Sequence, residues 1–217
     1  MTTGQRPEVP YPFAPVVPEP RRHGPALPPL VDAPDSDAER RLFDHRKVML
    51  SGPLDADAVN RLCAQLMTLD GESSREVELF INSGGGGLAE ALTVLDVIGL
   101  MRAQVSPICM GAARGTAAAL LACGTGWRRS TPHANISLRC SHLETIEGPA
   151  TTVEHEAERL AVARSRLRDL LVAATGQPIA TIDEHLDRGT SLDPARAKRL
   201  GIIDAITHPS PSIGPAG

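Results

Sequence analysis

The sequence predicts an α/β fold from two patterns. Apolar runs of strand length alternate with segments of helical period, and two of the strand-to-helix junctions are rich in glycine. The 217 residues are 41% hydrophobic, which is enough for one domain of ordinary size with a real core. We therefore expect one α/β domain over residues 38–208, between a proline-rich mobile tail at 1–37 and a flexible tail at 209–217.

The first regular segments follow Arg46. Residues 48–50 are predicted to form a short strand, and Gly52-Pro53 is predicted to turn the chain towards Asp55. Asp55 can cap the helix that comes next, because its side chain can accept a bond from a free N–H of the first turn. The apolar residues of that helix recur at i, i+3, i+4 and i+7: Val59, Leu62, Cys63 and Leu66. This spacing predicts a helix packed on the core.

The alternation continues through the middle of the chain. Strands are predicted at 77–81, 105–110 and 136–138, and helices at 88–101 and 116–123. The longest helix is predicted over 151–174, with charges of both signs on its polar faces, and Gly176-Gln177-Pro178 ends it. Its length alone leaves a coiled-coil arm and a plain core helix both open.

Two glycine-containing junctions are the candidate site, INSGGGG at 81–87 and PICMGAARGTAAALLACGTGWRR at 107–129. Glycines let a backbone approach a ligand closely, and N–H groups aimed at one point can stabilise a developing oxyanion. Such geometry is typical of a hydrolase, which also needs a nucleophile at the start of the second helix. The turn instead carries Ala113, Arg114, Gly115 and Thr116, with neither serine nor cysteine.

From about Glu39 to Ile206 the sequence resembles the proteolytic subunit of the caseinolytic (Clp) protease, a self-compartmentalised serine peptidase. The family's I-N-S-P-G-G is matched from Ile81, its nucleophile segment from Ile108, its P-N-[SA]-x-[IV]-M-[IL]-H by PHANISLR from Pro132, and its final motif from Ala197. The resemblance implies a crotonase-like spiral of ββα units. It also implies that the long helix is a protruding handle that joins two stacked rings.

The resemblance places the family's catalytic serine, histidine and aspartate at Gly115, Arg139 and Gly189. None of these is a nucleophile or a base near neutral pH, because arginine stays protonated. An oxyanion hole alone leaves an acceleration of about 10³ to 10⁴ over water. The family's oxyanion donors correspond to the backbone of Gly86 and Thr116. We therefore expect a catalytically inactive family member with no metal and no cofactor.

Two alternative functions remain open. Thr116 could form a relocated catalytic pair with Ser137, His133 or His142, which would give an active ATP-dependent serine-type endopeptidase. The chain could instead be a free-standing crotonase-like binding protein whose glycine-rich N–H groups hold a thioester carbonyl. Arg114 and Arg139 could grip a carboxylate in the former cleft, or each could pair with a nearby acid or reach solvent.

Three positions correspond to the family's docking pockets for the hydrophobic loops of a hexameric AAA+ ATPase unfoldase: Glu78, Phe80 and Leu100. A glutamate in an apolar pocket is costly to bury unless it is paired, so we expect direct docking to be weakened. Solvent exposure of Glu78 on a half-buried strand is the simpler interpretation.

Leu143 and Glu144 stand where the family's handle strand has a glycine pair, which alters the expected contact between rings. The retained core and handle patterns still predict an oligomer, because ring formation depends on buried apolar contact and a closing rotation. We expect a heptameric ring in a double-ring stack, alone or with active Clp paralogues, and a single ring as second choice.

Composition excludes several classes of protein. A net charge of -4 gives no electrostatic footprint for nucleic acid or an anionic membrane, and no run of 18 apolar residues could span a bilayer. The four cysteines, Cys63, Cys109, Cys123 and Cys140, lack the C-x-x-C spacing. Free thiols in a reducing compartment are therefore expected, and we place the protein in the cytoplasm.

The amino-terminal tail differs from the rest of the chain. Ten of the 19 prolines lie between Pro7 and Pro34, without a helical or strand period. This composition predicts a mobile, partly polyproline segment. A cleaved propeptide and a docking strand at an axial pore are the alternatives, and Tyr11 and Phe13 are the only sign of docking.

Overall fold

The computed structural model describes residues 35–139 and 150–207. Several of the expectations above concern residues outside these ranges: the mobility of the two tails, docking through Tyr11 and Phe13, the thiol of Cys140, the role of His142, and the handle replacements Leu143 and Glu144.

The described residues form helices and strands in alternation over most of their length. In chain order the elements are α1 (Asp35–Asp44), β1 (Lys47–Leu54), α2 (Ala56–Glu72), β2 (Val77–Gly86), α3 (Leu88–Leu100), β3 (Val105–Arg114), α4 (Thr116–Ala122), β4 (Arg129–Ser130), β5 (Asn135–Ser137), α5 (Ala150–Thr175), α6 (Ile179–Arg188), α7 (Pro194–Arg199) and β6 (Ala205–Ile206). Helix α1 begins inside the segment predicted as a tail.

The strands form one parallel sheet in the order β1-β2-β3-β4-β6, and β5 pairs with the end of β3. Parallel strands need crossover connections, and helices α2 and α3 supply two of them. The predicted α/β class is confirmed. No helix in the described part of the chain is both long enough and apolar enough to cross a membrane.

The predicted turn at Gly52-Pro53 is wrong, because β1 continues through it to Leu54. The pairing of β1 with β2 shifts register between Ser51 and Pro53, so Gly52-Pro53 is an irregularity inside the strand. Gly52 has φ 81°, a conformation that glycine adopts without a steric penalty, and this explains the local bend. The strand therefore ends directly before the N-cap of α2.

Helices α2, α3 and α4 form the core on the sheet. Asp55 caps α2 by accepting a 2.8 Å bond from the N–H of Ala58, as the sequence predicts. Every residue of α4 is buried, and this helix packs against β2 and β3. A fully buried helix after β3 fixes where that strand ends, and so positions the candidate site.

Candidate functional site

The two glycine junctions lie side by side in the structure. Strands β2 and β3 are parallel neighbours, with Ser83 opposite Ala113, so their carboxyl ends meet at one edge of the sheet. Gly85 has φ 87°, and a Cβ there would lie 3.1 Å from Oγ1 and 3.2 Å from the backbone nitrogen of Thr116. The close approach of the two turns therefore requires glycine at this position.

Gly115 occupies the sharp turn between β3 and α4. Its φ of 55° and ψ of -123° are unfavourable for residues with a side chain. Its N–H donates a 2.7 Å bond to the carbonyl of Ser137, which ties the turn to β5. A Cβ at this position would lie 2.8 Å from the backbone oxygen of Arg139, so a serine here would require the segment after β5 to move.

Of the three positions predicted to correspond to the family's triad, Gly115 and Gly189 both lie next to Arg139. Its backbone oxygen lies next to Gly115, and its side-chain stem lies against Gly189. A Cβ on Gly189 would be 2.7 Å from Cγ of Arg139 and closer still to its Cβ and Cδ. The Oγ of Ser137 donates a 3.3 Å bond to the carbonyl of Gly189, which holds the same two segments together. Arginine at 139 and glycine at 189 are thus a packed pair.

The predicted oxyanion donor at Gly86 already has a partner within the chain. Its N–H donates a 2.8 Å bond to Oγ1 of Thr116, and this hydroxyl donates in turn to the carbonyl of Gly86 at 3.1 Å. Thr116 is only 2% exposed. The hydroxyl therefore satisfies two backbone groups of β2 and is shielded from solvent, which are properties of a structural threonine.

The other polar side chains of the region have different surroundings. Ser137 is buried, whereas His133 is exposed in the turn before β5. Arg114 lies opposite Ser137 in the pairing of β3 with β5, and both Arg114 and Arg139 are exposed. Neither guanidinium forms an ion pair with another residue of the described ranges.

The described cysteines do not supply a nucleophile. Burial raises the pKa of Cys109 and of Cys123 to about 12, and it also raises the pKa of the Cys63 thiol. A thiol attacks as the thiolate, and a raised pKa leaves very little thiolate at neutral pH. These three residues are therefore packing groups.

At the predicted docking positions, Glu78 is paired on both sides. Its carboxylate lies 2.7 Å from the guanidinium of Arg129 and 3.6 Å from Nζ of Lys47. The same Nζ lies 5.9 Å from the ring centre of Phe80, while Leu100 is 85% exposed at the end of α3. The sequence analysis did not predict that Lys47 and Arg129 pair with Glu78. A parallel pairing of β1 with β2 sets Lys47 opposite Glu78 and could have indicated that ion pair.

A comparison with protein-family models matches residues 33–210 to the family described as Clp protease. This match covers most of the 217 residues and includes both glycine junctions and all three triad-equivalent positions. The family implies a crotonase-like fold, with which the parallel sheet and its packed helices agree. On this evidence the chain belongs to the Clp protease family.

Proposed function

We propose that this chain is a non-catalytic homologue of the Clp proteolytic subunit, which takes a place in a ring with active paralogues and contributes to protein degradation through the assembly. One observation carries this proposal. Gly115, Arg139 and Gly189, which the resemblance aligns with the family's catalytic residues, lie together in the structure, and none of them offers a group that can attack a carbonyl or accept a proton near neutral pH.

The surroundings of these residues also support inactivity. Nucleophilic catalysis needs a hydroxyl or thiol within hydrogen-bond reach of a base, and a donor aimed at the oxyanion. The N–H of Gly86 is engaged by Thr116, and the space beside Gly189 is filled by the stem of Arg139. A substrate carbonyl would have to displace the threonine hydroxyl to use that donor.

The same contacts argue against the two alternatives. An active peptidase that used Thr116 would need a hydroxyl free to lose its proton to a base, whereas this one is buried and bonded to Gly86. A binding protein that held a thioester carbonyl at the glycine junction would need the same occupied N–H. Neither alternative has a contact in its favour.

Helix α5 supports assembly, because its charges are separated along its length. Its first half has a net negative charge, from Glu154, Glu156 and Glu158 against Arg159, and its second half a net positive charge, from Arg164, Arg166 and Arg168 against Asp169. The apolar Val162 between them is 52% exposed. A groove of about 720 Å³ runs between this helix and α3. Two antiparallel copies of such a helix would place opposite charges together around an apolar centre, as an isologous contact requires.

The ion pairs of Glu78 bear on the ATPase partner. Lys47 and Arg129 hold this carboxylate over the sheet face that corresponds to the family's docking pocket. An apolar loop that entered there would have to break or bury this charged group, which is unfavourable. We infer that an AAA+ unfoldase contacts the assembly chiefly through the active paralogues.

A fluorogenic-peptide assay tests the proposal. The purified chain alone should give no turnover above the background of the buffer, because it lacks a nucleophile and base. Native mass spectrometry with a co-expressed active paralogue should detect mixed rings. Steady turnover by the chain alone that is abolished by Thr116→Ala would overturn inactivity. A monomer in both the single and the co-expressed samples would overturn the role in a ring.

A further inference from the structure

A small basic pocket lies between α6 and α7, and its lining does not include Gly115, Arg139 or Gly189. It has a volume of about 300 Å³ and is lined by two leucines and three nitrogen-bearing side chains: Leu192, Leu200, His185, Arg196 and Arg199. Arg196 and Arg199 are three residues apart on α7, so they project from one face of the helix. His185 approaches from the last turn of α6.

No acidic side chain of residues 35–139 or 150–207 lines the pocket, and two acids at the end of α6 have other partners. Glu184 pairs with Arg188 at 2.7 Å, and Asp187 pairs with Arg164 on α5. Asp193 caps α7 by accepting a 2.7 Å bond from the backbone N–H of Arg196. The guanidinium groups of Arg196 and Arg199 form no ion pair with any residue in the described ranges. The pocket therefore has an excess of positive charge.

Backbone contacts hold the Leu192 wall of the pocket and the start of α7, while Arg196 and Arg199 are exposed. Leu192 is 1% exposed, and its N–H and carbonyl both bond to Ile136 of β5, at 2.7 and 3.1 Å. Helix α7 starts at a capped Asp193 followed by Pro194, and Leu200 closes it through a bond to the carbonyl of Arg196. Binding therefore needs no movement of the Leu192 wall, and its entropic cost falls on the two arginine side chains.

We propose that this pocket binds a carboxylate-bearing peptide segment of a partner subunit, with an apolar side chain against Leu192 and a carboxylate between Arg196 and Arg199. Guanidinium groups bind carboxylates through two parallel hydrogen bonds, which suits an aspartate or glutamate side chain. The volume lies at the lower limit for ligand pockets and fits a side chain or two rather than a cofactor. The proposal of a partner subunit rests on the proposed role in an assembly, but the peptide site itself does not.

Binding of a short peptide to the full chain tests the site. The probe is the N-acetylated, C-amidated tetrapeptide Ala-Leu-Glu-Ala, with its glutamine analogue as the neutral control, followed by NMR chemical shifts or calorimetry. A single carboxylate and one apolar contact should give a Kd of about 1 mM, weakened by about tenfold or more in the glutamine analogue. Added salt should weaken the binding of the glutamate peptide as well.

Two variants separate the pocket from general surface charge. Arg196→Gln with Arg199→Gln should remove binding, whereas Arg188→Gln should keep it, because Arg188 is paired with Glu184 outside the pocket. Thermal melts check that all variants are folded, and a single Arg199→Gln variant replaces the double one if the latter unfolds. Equal binding of both peptides, or binding that survives loss of the arginines, would overturn the proposal. So would a pocket that takes inorganic phosphate but not the peptide. None of these outcomes depends on assembly or peptidase activity, so they leave the proposed function to its own test.

Discussion

The packing of Arg139 on Gly189 can be measured with a matched pair of glycines. Gly189 and Gly176 both follow a helix, with φ of 62° and 70°, and each donates its N–H to the carbonyl four residues earlier. A Cβ on Gly176 would meet nothing within 4 Å, whereas a Cβ on Gly189 would meet the stem of Arg139. Alanine at the two positions therefore has the same backbone strain and different packing.

The free energy of unfolding should separate the two effects. Gly176→Ala should cost about 1 to 2 kcal/mol, the penalty of a left-handed conformation for a residue with a side chain. Gly189→Ala should cost this amount and about 1 to 3 kcal/mol more, because inserted atoms in a packed site displace their neighbours. We therefore expect Gly189→Ala to destabilise the chain by about 2 to 5 kcal/mol. Urea unfolding of both variants measures the difference.

A double-mutant cycle assigns the excess cost to Arg139. Arg139→Gly removes the Cβ, Cγ and Cδ that a side chain at 189 would meet, so it should recover the excess cost of Gly189→Ala. The same Arg139→Gly change combined with Gly176→Ala should be additive, because no contact joins these positions. Equal costs for the two single alanine variants would refute the packed pair.

Three further predictions concern stability and reactivity. Thr116→Val should destabilise the chain by about 0.5 to 1.5 kcal/mol, because it removes the partly buried hydrogen bond that the N–H of Gly86 donates to the hydroxyl. Thr116→Ser should keep most of the stability, and urea melts of the two variants check this. The pKa of Asp204 is lowered, and the largest cause is the side-chain hydrogen bond from Arg128. The ionised Asp204 should therefore stabilise the fold fully above the ordinary aspartate pKa of about 4, and this stabilisation should be lost as the pH falls through the lowered pKa. Asp204→Asn should therefore flatten the acid limb of stability against pH, and a wild-type limb unchanged by the substitution would contradict the assignment. The thiol of Cys109, whose pKa is about 12, should resist iodoacetamide at pH 8 in the folded chain and react after unfolding, as peptide mass spectrometry can determine.

The elements with strong periodicity could be predicted from the sequence. The helix after Asp55, the two glycine junctions and the long helix near the end all carry local signals, namely a cap, a strand-to-helix change of period and a stop. The short strands β4 and β6 have two residues each, and no period can be detected over such a length. Their pairing depends on neighbours that are distant in sequence.

Buried arginines show a second limit of sequence reasoning. Arg46 is 6% exposed, has φ 59°, and donates to the carbonyls of Leu69, Ser73 and Arg75 at the end of α2. Arg128 is half-buried and donates in the same way to the carbonyls of Ala122, Ala174 and Gly201. Each satisfies carbonyl groups at the end of a helix, a role that follows from tertiary position, whereas the residue type alone indicates a solvated cation.

Contacts among residues 86, 115, 116, 139 and 189 make the present residues depend on one another. A histidine at 139 would vacate part of the space beside Gly189, and a larger residue at 189 would collide with the present arginine. A serine at 115 would meet the carbonyl of Arg139, and an oxyanion hole at Gly86 would require its N–H to leave Thr116. Each residue is now favoured by its neighbours' present identity, through sterics at 115 and 189 and through hydrogen bonding at 86 and 116. Because these contacts depend on one another, a single replacement at 115, 139 or 189 should lower stability unless its neighbours change with it.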